Sequence, residues 1–390
     1  MILIDKPYIS DFLIKTIKDN NFPIVATPIA KEMLDDDSLN WIDEKEAKKI
    51  KEKNPTSALY TNSENTISWI EKNVDLPKLH QQIQLFKNKT KFRELLSESY
   101  PNYFFKGVLV ENLRKVTPDE LKFPFFIKPA VGFFSIAVHR VNTVEDWYRI
   151  LDLIEDEIEK TKDLYPAEVI NTNDFILEEF IPGKEYAVDC YFDKEGNPVI
   201  LNILHHIFSS EKDVSDRVYS TSKKIIEENI EPIQTFLNIL GDKAKLNNFP
   251  MHVELRIDSE GNIIPIEVNP LRFGGFCTTG DLTWYAYGIN SYEYFFNSKK
   301  PDWKEIFIGR EETKYSIIVL DNNSGYKESD IESFDFELLA KDFEKPLDIR
   351  KIDFKKYLAF GFVFLETEHD NEKELEQILG SDLRKYIKLR

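Results

Sequence analysis

The segment MHVELRIDSEGNIIPIEVNPLRFGG, residues 251–275, constrains the chain more than any other. In its first arm Met251, Val253, Leu255 and Ile257 alternate with His252, Glu254 and Arg256. In its second arm Ile264, Ile266 and Val268 alternate with Pro265, Glu267 and Asn269. A period of two on both sides of the turn residues Asp258, Gly261 and Asn262 predicts an antiparallel hairpin. Burying both apolar sets on one face restricts the register. One allowed register sets Val253 against Val268, Leu255 against Ile266 and Ile257 against Ile264. On the opposite face it sets Glu254 against Glu267 and His252 against Asn269. Carboxylates facing each other on adjacent strands lie roughly 4.5–5.5 Å apart at Cβ and repel. Read from pattern alone, they either point into water or share a divalent cation. Mg²⁺ takes one or two carboxylates plus substrate phosphates, and Asn269 would add a carbonyl oxygen.

Around this hairpin the chain reads as α/β (α+β). Met1–Ile4, Phe22–Thr27 and Ala58–Thr61 read as strands between helices at Ser10–Asn20, Trp41–Lys53 and Glu64–Val74. Ser10 is the expected cap of the first helix. This predicts a parallel N-terminal unit over residues 1–88; no G-x-G-x-x-G follows its first strand. Leu76–Glu98 reads as helical. Strands are expected at Tyr103–Val110, Pro124–Pro129, Ser135–Val141, Phe175–Ile181, Glu185–Phe192 and Val199–Phe208. Thr143 and Asp146 form a capping-box pattern, and Lys223–Leu240 reads as a helix. A second unit is expected over 89–297, with a small nucleotide subdomain to about residue 180 and a catalytic subdomain after it. After residue 298 the pattern restarts: strand Tyr315–Leu320, helix near Asp330–Asp342, strand Leu358–Leu365, helix Glu372–Leu379. That predicts a C-terminal α/β subdomain whose role the sequence leaves open.

Composition limits the partners. Lys and Arg number 51 and Asp and Glu 69, a formal net charge of −18. Such a surface repels nucleic acid and anionic lipid, although a local basic pocket remains compatible with it. No apolar run approaches a membrane span. Two cysteines, Cys190 and Cys277, support no disulfide framework and suit a reducing cytoplasmic setting.

Four segments in order carry a family resemblance. FKNKTKFREL, FPFFIKPAVGFFS, FILEEFIPGKEYAVD and the acidic hairpin together resemble the ATP-grasp superfamily, which includes D-alanine–D-alanine ligase and biotin carboxylase. The resemblance implies ATP and Mg²⁺ (or Mn²⁺), with Lys89 and Lys128 on the phosphates. Ser135 would be a polar contact of the phosphate loop. In the hinge, Glu178 would meet the adenine amino group, Ile181 would offer its backbone, and Glu185 would bind the ribose, with Glu179 in the same segment. Glu254, Glu267 and Asn269 would hold metal, and Arg272 would steady substrate or a developing phosphate. The sequence departs from the family pattern in three places. Gly132 is the lone glycine of the phosphate loop and precedes Phe133-Phe134, which would form a water-excluding lid. His252 stands where an arginine is common, and Leu271 separates Pro270 from Arg272.

The implied reaction joins a small-molecule carboxylate to an amine through an acyl phosphate, with no nucleic acid or membrane partner and a homodimer left open. Two alternatives remain: a kinase acting on a stable acceptor, and a nucleotide-binding partner protein without turnover. The polar stretch Ser209–Ser222 reads either as a substrate loop with Arg217 as its cation or as ordinary surface. His205-His206 reads as one satisfied and one exposed side chain, and Cys277 as a packing residue.

Overall fold

The fold comes from a computed structural model, which describes residues 1–131, 138–161, 171–210, 215–357, 359–368 and 371–390. Four short strands, β1 (Ile2–Leu3), β2 (Ile24–Val25), β3 (Trp41–Ile42) and β4 (Tyr60–Thr61), form a parallel sheet in the order β3-β2-β1-β4. The first helix runs Asp11–Asn20, and the Leu13 amide donates to Ser10 Oγ at 3.1 Å, as the cap requires. Trp41-Ile42 is a strand and not the first turn of a helix. Asp43 caps the helix Glu44–Lys53 by accepting from the Glu46 amide at 2.7 Å, which leaves the two preceding residues extended. The helix Pro28–Met33, unforeseen in the sequence, starts on the Thr27 cap with proline at its first position.

The helical stretch expected over Leu76–Glu98 is two helices, Pro77–Lys87 and Lys89–Leu96. Asn88 separates them and its side chain accepts from the Lys91 amide at 3.0 Å, so Lys89 sits in a freshly started first turn. A second sheet follows, of β5 (Phe105–Leu109), β6 (Phe125–Val131), β7 (His139–Val141) and β8 (Asn171–Glu179), antiparallel in the order β5-β8-β6-β7. The helix Val144–Thr161 lays Trp147, Ile150, Leu151 and Ile154 on its Phe125, Ile127, Phe175 and Leu177.

The largest sheet collects β9 (Lys184–Phe192), β10 (Pro198–Ile207), β11 (Val218–Ser222), β12 (Phe249–Ile257), β13 (Ile263–Pro270) and β14 (Thr313–Asp321). Beyond them lie β15 (Ile331–Phe334), β16 (Pro346–Lys351), β17 (Ala359–Glu368) and β18 (Ile387–Leu389). Its eight antiparallel strands run β13-β12-β9-β10-β11-β14-β17-β16, so the sheet passes residue 298 without a break. β15 and β18 pair separately. Two expectations change here. Val218–Ser222, read as loop, is an inner strand because Val218, Ser220 and Thr221 are buried between β10 and β14. The helix expected near 330–342 is strand β15 followed by the short helix Phe336–Ala340. Asp335 caps that helix, accepting from the Leu338 amide at 2.8 Å, and so divides the two.

Candidate active site

β12 and β13 pair as expected at the acidic end: His252 faces Asn269, Val253 faces Val268 and Glu254 faces Glu267. Past that point the register slips by one. Leu255 faces Pro265, Arg256 faces Ile264 and Ile257 faces Ile263, so the expected Leu255–Ile266 and Ile257–Ile264 pairs do not form. Ile266 is the extra residue of a bulge, which tips the local backbone out of the ladder. The Arg93 guanidinium fills the gap, donating from Nη1 to the Pro265 carbonyl and from Nη2 to the Ile266 carbonyl, the latter at 3.3 Å.

Arg93 also carries the connection onward. Its Nε donates to Glu178 Oε2 at 2.7 Å, Tyr103 hydroxyl donates to the same oxygen at 3.1 Å, and Lys128 Nζ lies 2.5 Å from Oε1. Arg93 and Glu178 are almost wholly buried. Burial alone would push the Glu178 carboxyl up; Arg93 and Lys128 outweigh it and hold the group near 2. The chain hairpin–Arg93–Glu178–Lys128 therefore fixes where the Lys128 ammonium stands.

The facing glutamates behave unequally. Burial first, then the charge of Glu267, drives the Glu254 carboxyl well above the usual range. Burial also opposes ionisation of Glu267, but Lys89, with Nζ 3.2 Å from Oε2, and Lys128 keep it below the usual range. His252 stands beside them, with Nδ1 2.7 Å from the wholly buried Asp189 Oδ1 and Nε2 3.7 Å from Glu254. Asp189 Oδ1 also accepts from the Gly274 amide at 3.2 Å, which ties the post-hairpin loop to the sheet. Among the described residues no three His, Cys, Asp or Glu side chains gather as a closed metal cage. Two carboxylates and the Asn269 amide instead suit a hard cation that keeps waters and takes phosphate oxygens, as Mg²⁺ and Mn²⁺ do. The uncompensated pressure on Glu254 is what such a cation would relieve.

Leu271, the insertion before Arg272, adopts a left-handed backbone at φ 64°. Its carbonyl accepts from the Thr61 amide at 2.8 Å and its amide donates to the Pro250 carbonyl at 2.8 Å, so it fastens the hairpin to the N-terminal sheet. Arg272 then reaches Glu64, with Nη2 2.8 Å from Oε1. Burial would push Glu64 up, but Lys87 and Arg272 hold it well below the usual range. Arg272 still feels the charges of Glu254 and Glu267.

In the hinge, Glu178 and Glu179 point apart, as strand neighbours must. Glu179 accepts from the Phe104 amide at 2.9 Å and pairs with Lys122 at the surface, away from Lys128. The Ile181 carbonyl accepts from Arg256 Nη1 at 2.7 Å. Glu185 is held by Arg256 Nε at 3.0 Å and His206 Nδ1 at 2.8 Å, with His206 stacked on Tyr219. His206 is thus buried in the hinge, and His205 is half-buried against Tyr186. Arg217, read as a cation for a substrate loop, is buried at the start of β11 and pairs with Asp321 at 2.8 Å, a tie between β11 and β14. Cys277 is buried, and burial pushes its thiol up to about 11. Ser135 and Phe133-Phe134 lie outside the described residues.

The structure brings Lys89, Lys128, Glu178, Glu254, Glu267, Asn269 and Arg272 together around the acidic end of the hairpin. It adds three residues that sequence reasoning missed, Arg93, Glu64 and Asp189, and it makes His206 the satisfied member of the His205-His206 pair, with Glu185 as its partner. Arg93 was within reach, since it lies four residues after Lys89 on one helix face. Glu64 had no local signal.

Residues 121–280 match the family model of the ATP-grasp domain. No curated protein sequence matches the chain. The fold resembles L-amino acid ligase from Bacillus licheniformis, with a TM-score of 0.70 and 18% identity, covering 100% of this chain and 98% of that one. It also resembles biotin carboxylase from Campylobacter jejuni (TM-score 0.62, 13% identity, 100% and 91% covered). N5-carboxyaminoimidazole ribonucleotide synthetase from Thermotoga maritima gives 0.61 and 15%, with 100% and 98% covered.

Proposed function

Starting from the ATP-grasp domain at residues 121–280, we propose that the chain is an ATP-dependent ligase joining a small-molecule carboxylate to an amine. The observation that carries this reading is the Glu254–Glu267 pair, set face to face with Lys89, Lys128 and Arg272 around it. The enzymes named in the three similar structures make the ligase class the natural reading of that arrangement.

ATP is the phosphoryl donor. The hinge from Glu178 to Glu185 receives adenine and ribose, with Ile181 offering its backbone and Glu185 pre-set by Arg256 and His206. Glu178 accepts from three donors, so beside any contact with the adenine amino group it orients Lys128. Lys89 and Lys128 neutralise the phosphates. Glu254, Glu267 and Asn269 would hold Mg²⁺ or Mn²⁺, which would supply charge neutralisation at the transferring phosphate. A substrate carboxylate oxygen attacks the γ-phosphorus; the bond to the β–γ bridging oxygen breaks and ADP leaves. Arg272 steadies the charge that gathers on the new acyl phosphate. The amine then attacks the acyl carbon, the C–O bond breaks, and phosphate departs as the nitrogen sheds a proton.

The test is carboxylate-dependent ADP release across a panel of acids, with amino acids first, in the presence of an amine. Glu267→Gln and Lys128→Met should each lower kcat by about 10²–10³-fold, the loss typical when a charge-stabilising contact is removed. Unchanged turnover in both variants would refute the site. A phosphorylated acceptor without an amide would make the protein a kinase, and ATP binding without any turnover would make it a binding partner.

A further inference from the structure

A cavity of about 140 Å³ lies where the N-terminal unit meets the helix Pro77–Lys87 and the turn leading into β12. Leu59, Leu79, Phe249 and Leu271 give it an apolar lining. Into this lining comes Lys51, with only 3% of its surface exposed. Its ammonium donates to the Pro55 carbonyl at 2.9 Å and the Ser57 carbonyl at 2.8 Å, which uses two of its three donors. No acidic side chain among the described residues forms an ion pair with it, and burial lowers it to about 8, so it remains a cation at neutral pH. Ser57, also on the cavity wall, has a buried hydroxyl oxygen with no hydrogen-bond partner. The helix Pro77–Lys87 begins at the same wall without a side-chain cap, so its first amides add partial positive charge.

A buried cation lacking a counter-charge, an unpartnered hydroxyl and an uncapped helix start all ask for one anion. We propose that this cavity binds a small aliphatic monocarboxylate. Its carboxylate meets Lys51 and Ser57 and its alkyl end packs on Leu59, Leu79 and Phe249. A dianion such as phosphate would have to draw its second counter-charge from the exposed Lys78 on the same wall, and would leave the apolar walls uncovered. An engineered apolar cavity of about 150 Å³ takes benzene, so acids of roughly four to six carbons fit. Leu271 forms part of the wall and is followed directly by Arg272, so an occupant braces the segment that carries the catalytic arginine. This site is separate from the proposed ATP cleft and stands whether or not that reading holds.

Sodium hexanoate titrated calorimetrically into the full chain tests it, with Lys51→Met, Leu79→Trp and Arg272→Met alongside. Saturable binding should appear in the parent chain and in Arg272→Met, and weaken by about tenfold or more, roughly 1.4 kcal/mol, in Lys51→Met and Leu79→Trp. Leu79→Trp keeps the lysine and fills the space, so the test survives a misfolded Lys51→Met. Hexanol and inorganic phosphate should bind at least about tenfold more weakly. Equal affinity in the parent and Leu79→Trp, loss in Arg272→Met alone, tighter phosphate binding, or no hexanoate binding would each overturn the proposal.

Discussion

Glu178 is a carboxylate buried almost to completion, yet three donors keep it charged. Its folded value near 2 lies below the ordinary 4.5, so it contributes stability above pH 4.5 that is lost as pH falls towards 2. Glu178→Gln would strand the Arg93 guanidinium without its counter-charge, a change that typically costs about 3–5 kcal/mol. Denaturant melts at pH 7 should show that loss, and the pH 4.5 to 2 slope of the parent should flatten in the variant. Arg93→Met should fail similarly by leaving Glu178 uncompensated. The facing of Glu254 and Glu267 was legible because paired glutamates on an alternating hairpin are a local pattern, and Lys128 was singled out through the family resemblance of its strand. Glu64 was not legible. Its place beside Arg272 arises from a contact across 208 residues that no spacing rule encodes.

At the scale of elements, the hairpin shows where pattern reading stops. Both arms alternate, and Ile263 and Ile264 offer apolar side chains of either parity, so the outer half can pair in two registers. The bulge at Ile266 selects one, and the partner that rewards it is Arg93, from a helix some 170 residues away (the Arg93–Pro265 separation is 172). Deleting Ile266 would restore a continuous ladder and remove the carbonyl pair that Arg93 satisfies. We expect a lower melting temperature and a loss of turnover through a displaced Lys128, read by thermal denaturation and steady-state assay. Gly183 makes a second element-level prediction. It holds φ +110°, and a Cβ there would sit 2.3 Å from the Ile257 carbonyl oxygen, so the hinge turn admits no side chain. Gly183→Ala should destabilise by more than about 1 kcal/mol, measured by equilibrium unfolding. The boundaries that sequence reading missed, at Trp41-Ile42 and at β15, both adjoin an aspartate cap that ended one element and freed the next.

Across the whole molecule, two distant segments and the neighbouring helix converge on Asp281. Ser10 hydroxyl donates to it at 3.2 Å, Tyr292 hydroxyl donates at 3.2 Å, and Arg350 from β16 pairs with it. Burial nevertheless raises its carboxyl from 3.8 to about 6. The folded chain therefore holds a proton that the unfolded chain has released, and stability falls as pH climbs from 3.8 to about 6. Two units correspond to roughly 3 kcal/mol at most. Asp281→Asn should remove that slope in melts taken between pH 4 and 7. The alternation of strands and helices announced the mixed α/β class and the parallel N-terminal sheet. The union of C-terminal strands with the catalytic sheet was hidden, because strand order is a long-range choice among equally apolar edges. No helix among the described residues is long and apolar enough to cross a membrane. The ligase reading rests finally on one chemical event, the transfer of phosphate to a carboxylate. With a carboxylate substrate labelled with ¹⁸O in both oxygens, an amine and ATP, mass spectrometry of the products tests it directly. The account predicts ADP and inorganic phosphate carrying one ¹⁸O from the acid. Release of AMP, or phosphate free of label while amide forms, would contradict it.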